Sequence, residues 1–574
     1  MPKNLSFYIL IVIICIAAVL RFYKLASVPP SLYWDEASLG YNAYSILKTL
    51  HDEHGKFLPL TNFAAFGDYK PPGYIYATVP SIAIFGLNEF ATRFPSAFFG
   101  VLTVILTYFL TKKLFSEGYQ KYQKYQEYQE LSSKREKSAR GTRDTRGTLD
   151  TPQIIALLAA LFLTISPWHL QFSRGAFEAN LGLFFSVLGI WLFLKFAQDN
   201  SFWILPSALS FLAGMYTFTG QRLFVPFILL VLAIQFRKQI LAQIKIVVAT
   251  ALIAAILFWP LFVFATQTIE GRLRFDEVTI FKDLEPINQS IRFRQRDNFS
   301  WLSNIIHNRR LFYSYEYLTH YFDAFNPSFL FTKGDVNPRL SIQEVGELYY
   351  IDLLLVLAGV YFLFATKQKY RFLIITWLLI SPLGPATARE TPHALRMIHI
   401  LPTFQILAAY GFFQFYKFVK FKKFFLVLTF LLLSLNFFFY LHMYYVHWPR
   451  NYSGEWQFGY KEAVEFIKLR YNDVDYVVVT KAQGRPYIYF LLYMQFNPRE
   501  YWKSAQITKD KFFFINVDGF DKLRFTDSLT EASVSGRVLY VVLPNTLPPS
   551  AQKLKTIIRL DGTSVFDIGE AEIR

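Results

Sequence analysis

The chain has 574 residues, 53% of them apolar, with 62 Phe and 36 Tyr, a content too apolar for a soluble domain and suited to a polytopic membrane protein. Its formal charge of +17 does not mark a nucleic-acid binder, because Lys and Arg lie between apolar runs, as they do when basic residues set membrane orientation. The single cysteine, Cys15, excludes an intramolecular disulfide and a thiolate metal cluster.

The first run, LSFYILIVIICIAAVL, ends in RFYKL without a small-residue cleavage motif and reads as a retained signal-anchor. Runs starting near Leu5, Phe94, Gln153, Leu181, Phe202, Leu223, Ile244, Leu348, Phe372, Met397 and Phe424 predict about 11 transmembrane helices of roughly 15 to 24 residues. PPGYIYATVPSIAIFG (71–86) is short and contains Pro80, which predicts an interfacial or re-entrant helix. If it does not cross and the N-terminus is cytoplasmic, then Lys112, Lys113, the basic 119–147 stretch, Lys195, Arg237 and KFVKFKK (417–423) all fall inside. If it crosses, most of them fall outside. The expected protein is therefore a multi-pass cell-membrane protein. Its transmembrane domain spans 1–446, with a first outer loop at 22–92, a cytoplasmic low-complexity insertion at 115–151 and a long outer loop at 266–345. The segment 118–148 repeats Tyr-Gln-Lys/Glu with period three, which fits neither a helix face nor a strand, and reads as disordered. From 447 to 574 the pattern changes. YKEAVEFIKLRY predicts a helix, and VDYVVVT, KFFFINV, RVLYVVLP, KTIIRL and SVFDIGE predict strands of a small extracytoplasmic α/β domain.

Candidate chemistry gathers on the predicted outer side. Asp35 and Glu36 stand together after the first span and before an amphipathic segment, SLGYNAYSILKTL; they read either as a helix cap in solvent or as functional carboxylates. GDYKPPGY places Lys70 before two prolines that fix the start of the next helix. SPWHLQFSRGAFEANLG contributes His169, Arg174 and Glu178, TGQR contributes Arg222, and RETPHALR contributes Arg389, His393 and Arg396. Arginine at a span end can be a simple interface anchor. Basic residues that depart from the inside rule and lie beside Asp35 also fit an anionic lipid phosphate. The sequons at Asn288, Asn298 and Asn451 matter only in a eukaryotic secretory pathway. No His or carboxylate cluster has metal-ligand spacing, so no metal site or cofactor is predicted, and divalent-metal dependence stays open.

Together RFYKL…PPSLYWDEASLGYNAYSIL, KPPGYIYATVPSIAIFG, SPWHLQFSRGAFEANLG, YTFTGQRLFVP, FLFTKGDVNPRLSIQEVGELYYID and RETPHALRMIHILP resemble the GT-C membrane glycosyltransferases over about residues 5–445. Within that superfamily they look like the bacterial phospholipid-carrier-dependent branch, related to protein O-mannosyltransferases and lipid A aminoarabinose transferase. The resemblance implies an α-helical GT-C fold with a polyprenyl-phosphate-linked sugar donor. It also implies inverting transfer to a protein, glycan or lipid hydroxyl on the extracytoplasmic face. It makes Asp35, first of the acidic pair with Glu36, the general base, and Lys70 the neutraliser of the donor phosphate. Glu178 matches a second acidic position loosely. Arg174, Arg222, His393 and Arg396 are assigned to the donor phosphate from charge and side alone, and the 266–345 loop is long enough for a lid. Two other readings share the spans: a lipid-linked sugar or lipid transporter, for which charges at mid-membrane and repeats would be expected, and a lipid-linked glycan polymerase or ligase.

Overall fold

The computed structural model describes residues 5–134, 150–510, 515–528 and 534–573. The chain opens with α1 (Leu5–Phe22), α2 (Trp34–Thr49), a hairpin of β1 (Phe63–Ala65) and β2 (Asp68–Lys70), α3 (Pro72–Phe85) and the long α4 (Glu89–Lys134). Next come α5 (Thr151–Ile165), α6 (Pro167–Phe172), α7 (Glu178–Gln198), α8 (Ile204–Thr217), α9 (Gln221–Gln235), α10 (Arg237–Ala242) and α11 (Ile244–Gln267). The stretch read as a long outer loop is itself helical, with α12 (Ile269–Val278), α13 (Glu285–Arg296), α14 (Trp301–Ile306) and α15 (Arg309–Asp323). The helical part ends with α16 (Tyr350–Ala365), α17 (Arg371–Ile380), α18 (Ala394–Met397), α19 (Thr403–Phe418), α20 (Lys422–His442) and α21 (Trp448–Asn451).

Every apolar run expected as a span is helical, but they differ in reach. Leu5–Phe22, Glu89–Ser116, Glu178–Gln198, Ile244–Gln267 and Lys422–Asn451 are long and apolar enough to cross a membrane by length and composition. Ala394–Ile400 with Thr403–Phe418 makes a sixth if a 52° bend is counted within one span. Thr151–Ile165, Gln221–Gln235, Tyr350–Ala365 and Arg371–Thr387 are apolar but shorter, and α8 has 14 residues. At 1.5 Å per residue a 15-residue helix covers about 22 Å, less than the roughly 30 Å hydrocarbon core. The protein is a multi-pass membrane protein. The expectation of disorder from 118 fails as far as Lys134, because α4 continues to that residue. Gln, Lys and Glu are good helix formers, so the repeat can be helical without an apolar face. The rest of that expectation, at 135–149, lies outside the described residues.

The C-terminal part contains α22 (Tyr460–Arg470), β3 (Tyr476–Thr480), α23 (Pro486–Tyr493), α24 (Pro498–Ser504), β4 (Gln506–Lys509), β5 (Ile515–Phe520), β6 (Leu523–Thr526), β7 (Gly536–Val542), β8 (Gln552–Ile558) and β9 (Ser564–Ile573). Its sheet runs β4-β5-β6-β3-β7-β9-β8. β3 is parallel to both neighbours, and its Val477, Val478 and Val479 are fully buried, as expected of a strand covered on both faces. This part is seated on the first loop. The Trp34 N–H donates to Gln457 Oε1 (3.1 Å), the Tyr41 hydroxyl to the Phe496 carbonyl (3.0 Å) and Trp502 Nε1 to the Glu53 carbonyl (3.0 Å). One buried apolar cluster runs continuously from α1 to β9.

Candidate active site

Asp35 and Glu36 occupy the first turn of α2, where the helix dipole favours negative charge. Successive helical residues point about 100° apart, and here the two carboxylates part company. Asp35 faces a cavity and keeps 23% of its side chain exposed; Glu36 has none exposed. Glu36 Oε1 accepts from Arg93 Nε (2.9 Å) and the Ala176 N–H (2.6 Å), and Oε2 from Arg93 Nη2 (2.9 Å) and the Tyr33 N–H (3.3 Å). Arg93 in turn donates to the carbonyls of Leu25, Pro29 and Ser31. A fully satisfied bidentate pair of this kind welds the loop after α1, α2, α4 and the turn before α7. Glu36, expected to be catalytic, does not line the cavity; its carboxylate is taken up by Arg93 and two backbone N–H groups.

Lys70 arrives by a different route. Phe66 (φ 59°) and Gly67 (φ 97°) form the two-residue turn of the β1–β2 hairpin, where positive φ at both positions matches the strand twist. Asp68 and Lys70 are two apart on β2 and share a face. The Lys70 ammonium is 3.2 Å from Asp35 Oδ1 and 2.8 Å from Asp68 Oδ2. Pro71 and Pro72 then start α3 at its N-cap and first turn, where the missing N–H groups cost nothing.

These groups open on a cavity of about 390 Å³. Glu178, the first residue of α7, lines it, as do Arg222 from the first turn of α9 and Arg396 from α18. Arg222 Nε donates to the Met215 carbonyl (3.4 Å), whereas its Nη2 is shut from solvent and has no hydrogen-bond partner among the described residues. Arg396 is 3.8 Å from Glu390. The α12 helix supplies Glu270, Phe275 and Val278 to the wall, so part of the long outer segment is built into the cavity.

Two expected phosphate ligands are not brought there. Arg174 donates to the carbonyls of Leu20, Arg21, Tyr23 and Val28 and to the Tyr444 hydroxyl, capping the C-terminal end of α1. His393 is the N-cap residue of α18, with Nδ1 3.8 Å from Asp335. Asp335 is a residue that sequence reasoning missed. Its Oδ2 accepts the Ala394 N–H (2.7 Å), its Oδ1 the Asn337 N–H (2.8 Å), and its own N–H donates to Glu347 Oε1 (3.2 Å). It thereby fixes the turn that carries Arg396. Burial pushes the Asp335 carboxyl up to about 6 and raises Glu347 well above the carboxylate range. Asp68 and Glu270 were also missed, although the period-two spacing of Asp68 and Lys70 was a readable signal. Among the described residues no three His, Cys, Asp or Glu side chains could together hold a metal ion.

ArnT from Cupriavidus metallidurans, in the apo state, superposes over 98% of this chain and 97% of its own, with a TM-score of 0.54 at 11% identity. The chain has the GT-C membrane glycosyltransferase fold. The same ArnT bound to undecaprenyl phosphate matches this chain over 97% of each chain, again with a TM-score of 0.54 and 11% identity. Residues 11–117, which hold Asp35, Lys70 and Arg93, match the family described as dolichyl-phosphate-mannose-protein mannosyltransferase. The Archaeoglobus fulgidus oligosaccharyltransferase tethered to an acceptor peptide matches over 86% of this chain at 12% identity and a TM-score of 0.47, and is spanned over only 63% of its own length. No curated protein sequence matches the chain.

Proposed function

We propose that the protein is an inverting glycosyltransferase that moves a monosaccharide from a polyprenyl-phosphate carrier to a hydroxyl acceptor on the extracytoplasmic face. The observation that carries this reading is the gathering of Lys70, Arg222 and Arg396 around one cavity that also holds Asp35. Cationic side chains that converge on a cavity from three elements suit an anionic ligand, and a phosphate offers them charge-assisted hydrogen bonds. The match to an ArnT bound to undecaprenyl phosphate supports a polyprenyl phosphate as that anion.

In this reading the acceptor oxygen attacks the anomeric carbon and the carbon–oxygen bond to the phosphate breaks. The electron pair leaves on the phosphate oxygen, where Arg222, Arg396 and Lys70 stabilise the charge, and the acceptor proton passes to Asp35. Lys70, held between Asp35 and Asp68, fixes the base relative to the phosphate. A lipid phosphate leaves as an anion and needs no acid, so Glu178 orients the acceptor rather than protonating the leaving group. The test is binding of a synthetic polyprenyl phosphate in nanodiscs, with sugar transfer measured separately. Arg222→Ala is expected to weaken binding roughly 10- to 100-fold, the scale of one charged hydrogen bond. Unchanged binding in folded protein would sink the assignment.

A further inference from the structure

A second polar pocket, of about 400 Å³, lies where the far end of α7 packs on α4. Glu178 opens α7 at the candidate active site and Lys195 stands in its last turn; the intervening 17 residues cover about 26 Å, close to the hydrocarbon thickness of a bilayer. The pocket therefore sits at the headgroup level of the opposite leaflet. Lys112 and Lys113 enter it from α4 and Lys195 from α7. Lys113 is paired with Asp199 at 2.6 Å. The Lys195 ammonium is held 3.5 Å from the centre of the Trp203 ring and 4.9 Å from that of Trp191. Lys112 has no ion pair among the described residues. Among the described residues that line it, three ammonium groups face the single carboxylate of Asp199, an excess of two positive charges in one concavity. Lysines that merely anchor a helix spread into water; here they converge from two helices, and like charges brought together are costly unless an anion lies between them. The mouth is apolar, with Phe109 41% exposed and its ring 6.0 Å from that of Trp191.

We propose that this pocket binds the headgroup of an anionic phospholipid, its phosphate between Lys112 and Lys195 and an acyl chain along Phe109 and Trp191. The ligand clasps α4 to α7, the helices that carry Arg93 and Glu178 to the candidate active site.

The test uses the full chain in nanodiscs or detergent, melted with added phosphatidylglycerol, phosphatidylcholine or inorganic phosphate, and native mass spectrometry to count retained lipids. Phosphatidylglycerol is expected to raise the melting temperature more than phosphatidylcholine does, with inorganic phosphate without effect. Each lysine near an anionic headgroup changes affinity about 5-fold, so Lys112→Gln/Lys195→Gln should weaken the phosphatidylglycerol response about 25-fold. Lys423→Gln, in an exposed basic run elsewhere, should not. If the double variant fails to fold, Lys112→Gln decides, because Lys112 has no ion pair to lose among the described residues; about 5-fold weaker binding is expected. An undiminished response in either variant, an equal response to phosphatidylcholine, or an equal response to inorganic phosphate overturns the proposal.

Discussion

Asp35 and Glu36 are chemically alike and adjacent, yet the turn of one helix separates their surroundings. Asp35→Asn keeps the size of the side chain and removes its charge. If it is the base, transfer should fall about 100-fold or more while polyprenyl-phosphate binding and the melting temperature hold. Glu36→Gln should do the reverse of a local catalytic change. It breaks the buried bidentate pair with Arg93, and leaving that guanidinium uncompensated costs about 3 to 5 kcal/mol, read as a large fall in melting temperature or as loss of folded protein. A thermally normal Glu36→Gln that has lost transfer would show that Glu36 takes part in the chemistry after all.

At the scale of elements, the turn from 393 to 396 hangs on Asp335, and this coupling should be visible in pH. The Asp335 carboxyl lies at about 6 in the folded chain against an ordinary value of 3.8, so the folded state holds the proton more tightly. The stability it contributes is full below about pH 4 and is lost as pH rises through about 6. The melting temperature should fall across that window, and Asp335→Asn, which still accepts the Ala394 N–H, should flatten the fall. Superimposable wild-type and variant profiles would rule Asp335 out as the titrating group. What was legible in the sequence follows the same scale. The Lys-Pro-Pro start of α3 and the valine run of β3 are local signals and were readable. The Glu36–Arg93 clamp joins residues 57 apart, and the Arg174 cap reaches carbonyls more than 140 residues away, so neither had a local signature. PYIYFLLY, the apolar run that became α23, has eight residues and could not be told from a buried strand by periodicity.

The two ends of the whole molecule are chemically unlike, and that difference fixes how it should lie in a membrane. The cavity gathers residues that follow α1, open α7 and open α9, so it belongs to one end of the bundle. The C-terminal part must share that end. Gly484 (φ 117°) packs so closely on the Trp34 ring that an added Cβ would lie 2.6 Å from it, and Trp34 precedes Asp35. Lys112, Lys113 and Lys195 mark the other end. The rule that basic residues in short loops stay on the cytoplasmic side predicts an outward-facing cavity. A reporter fused after Lys134, at the end of α4 beyond these lysines, should therefore be cytoplasmic, and one fused at the C-terminus extracytoplasmic. The contacts of Trp34 tie the second result to the position of Asp35. Two reporters on the same side would contradict the packing itself, and both signs inverted would put the candidate active site in the cytoplasm, where a donor carried on an outer-leaflet lipid could not reach it.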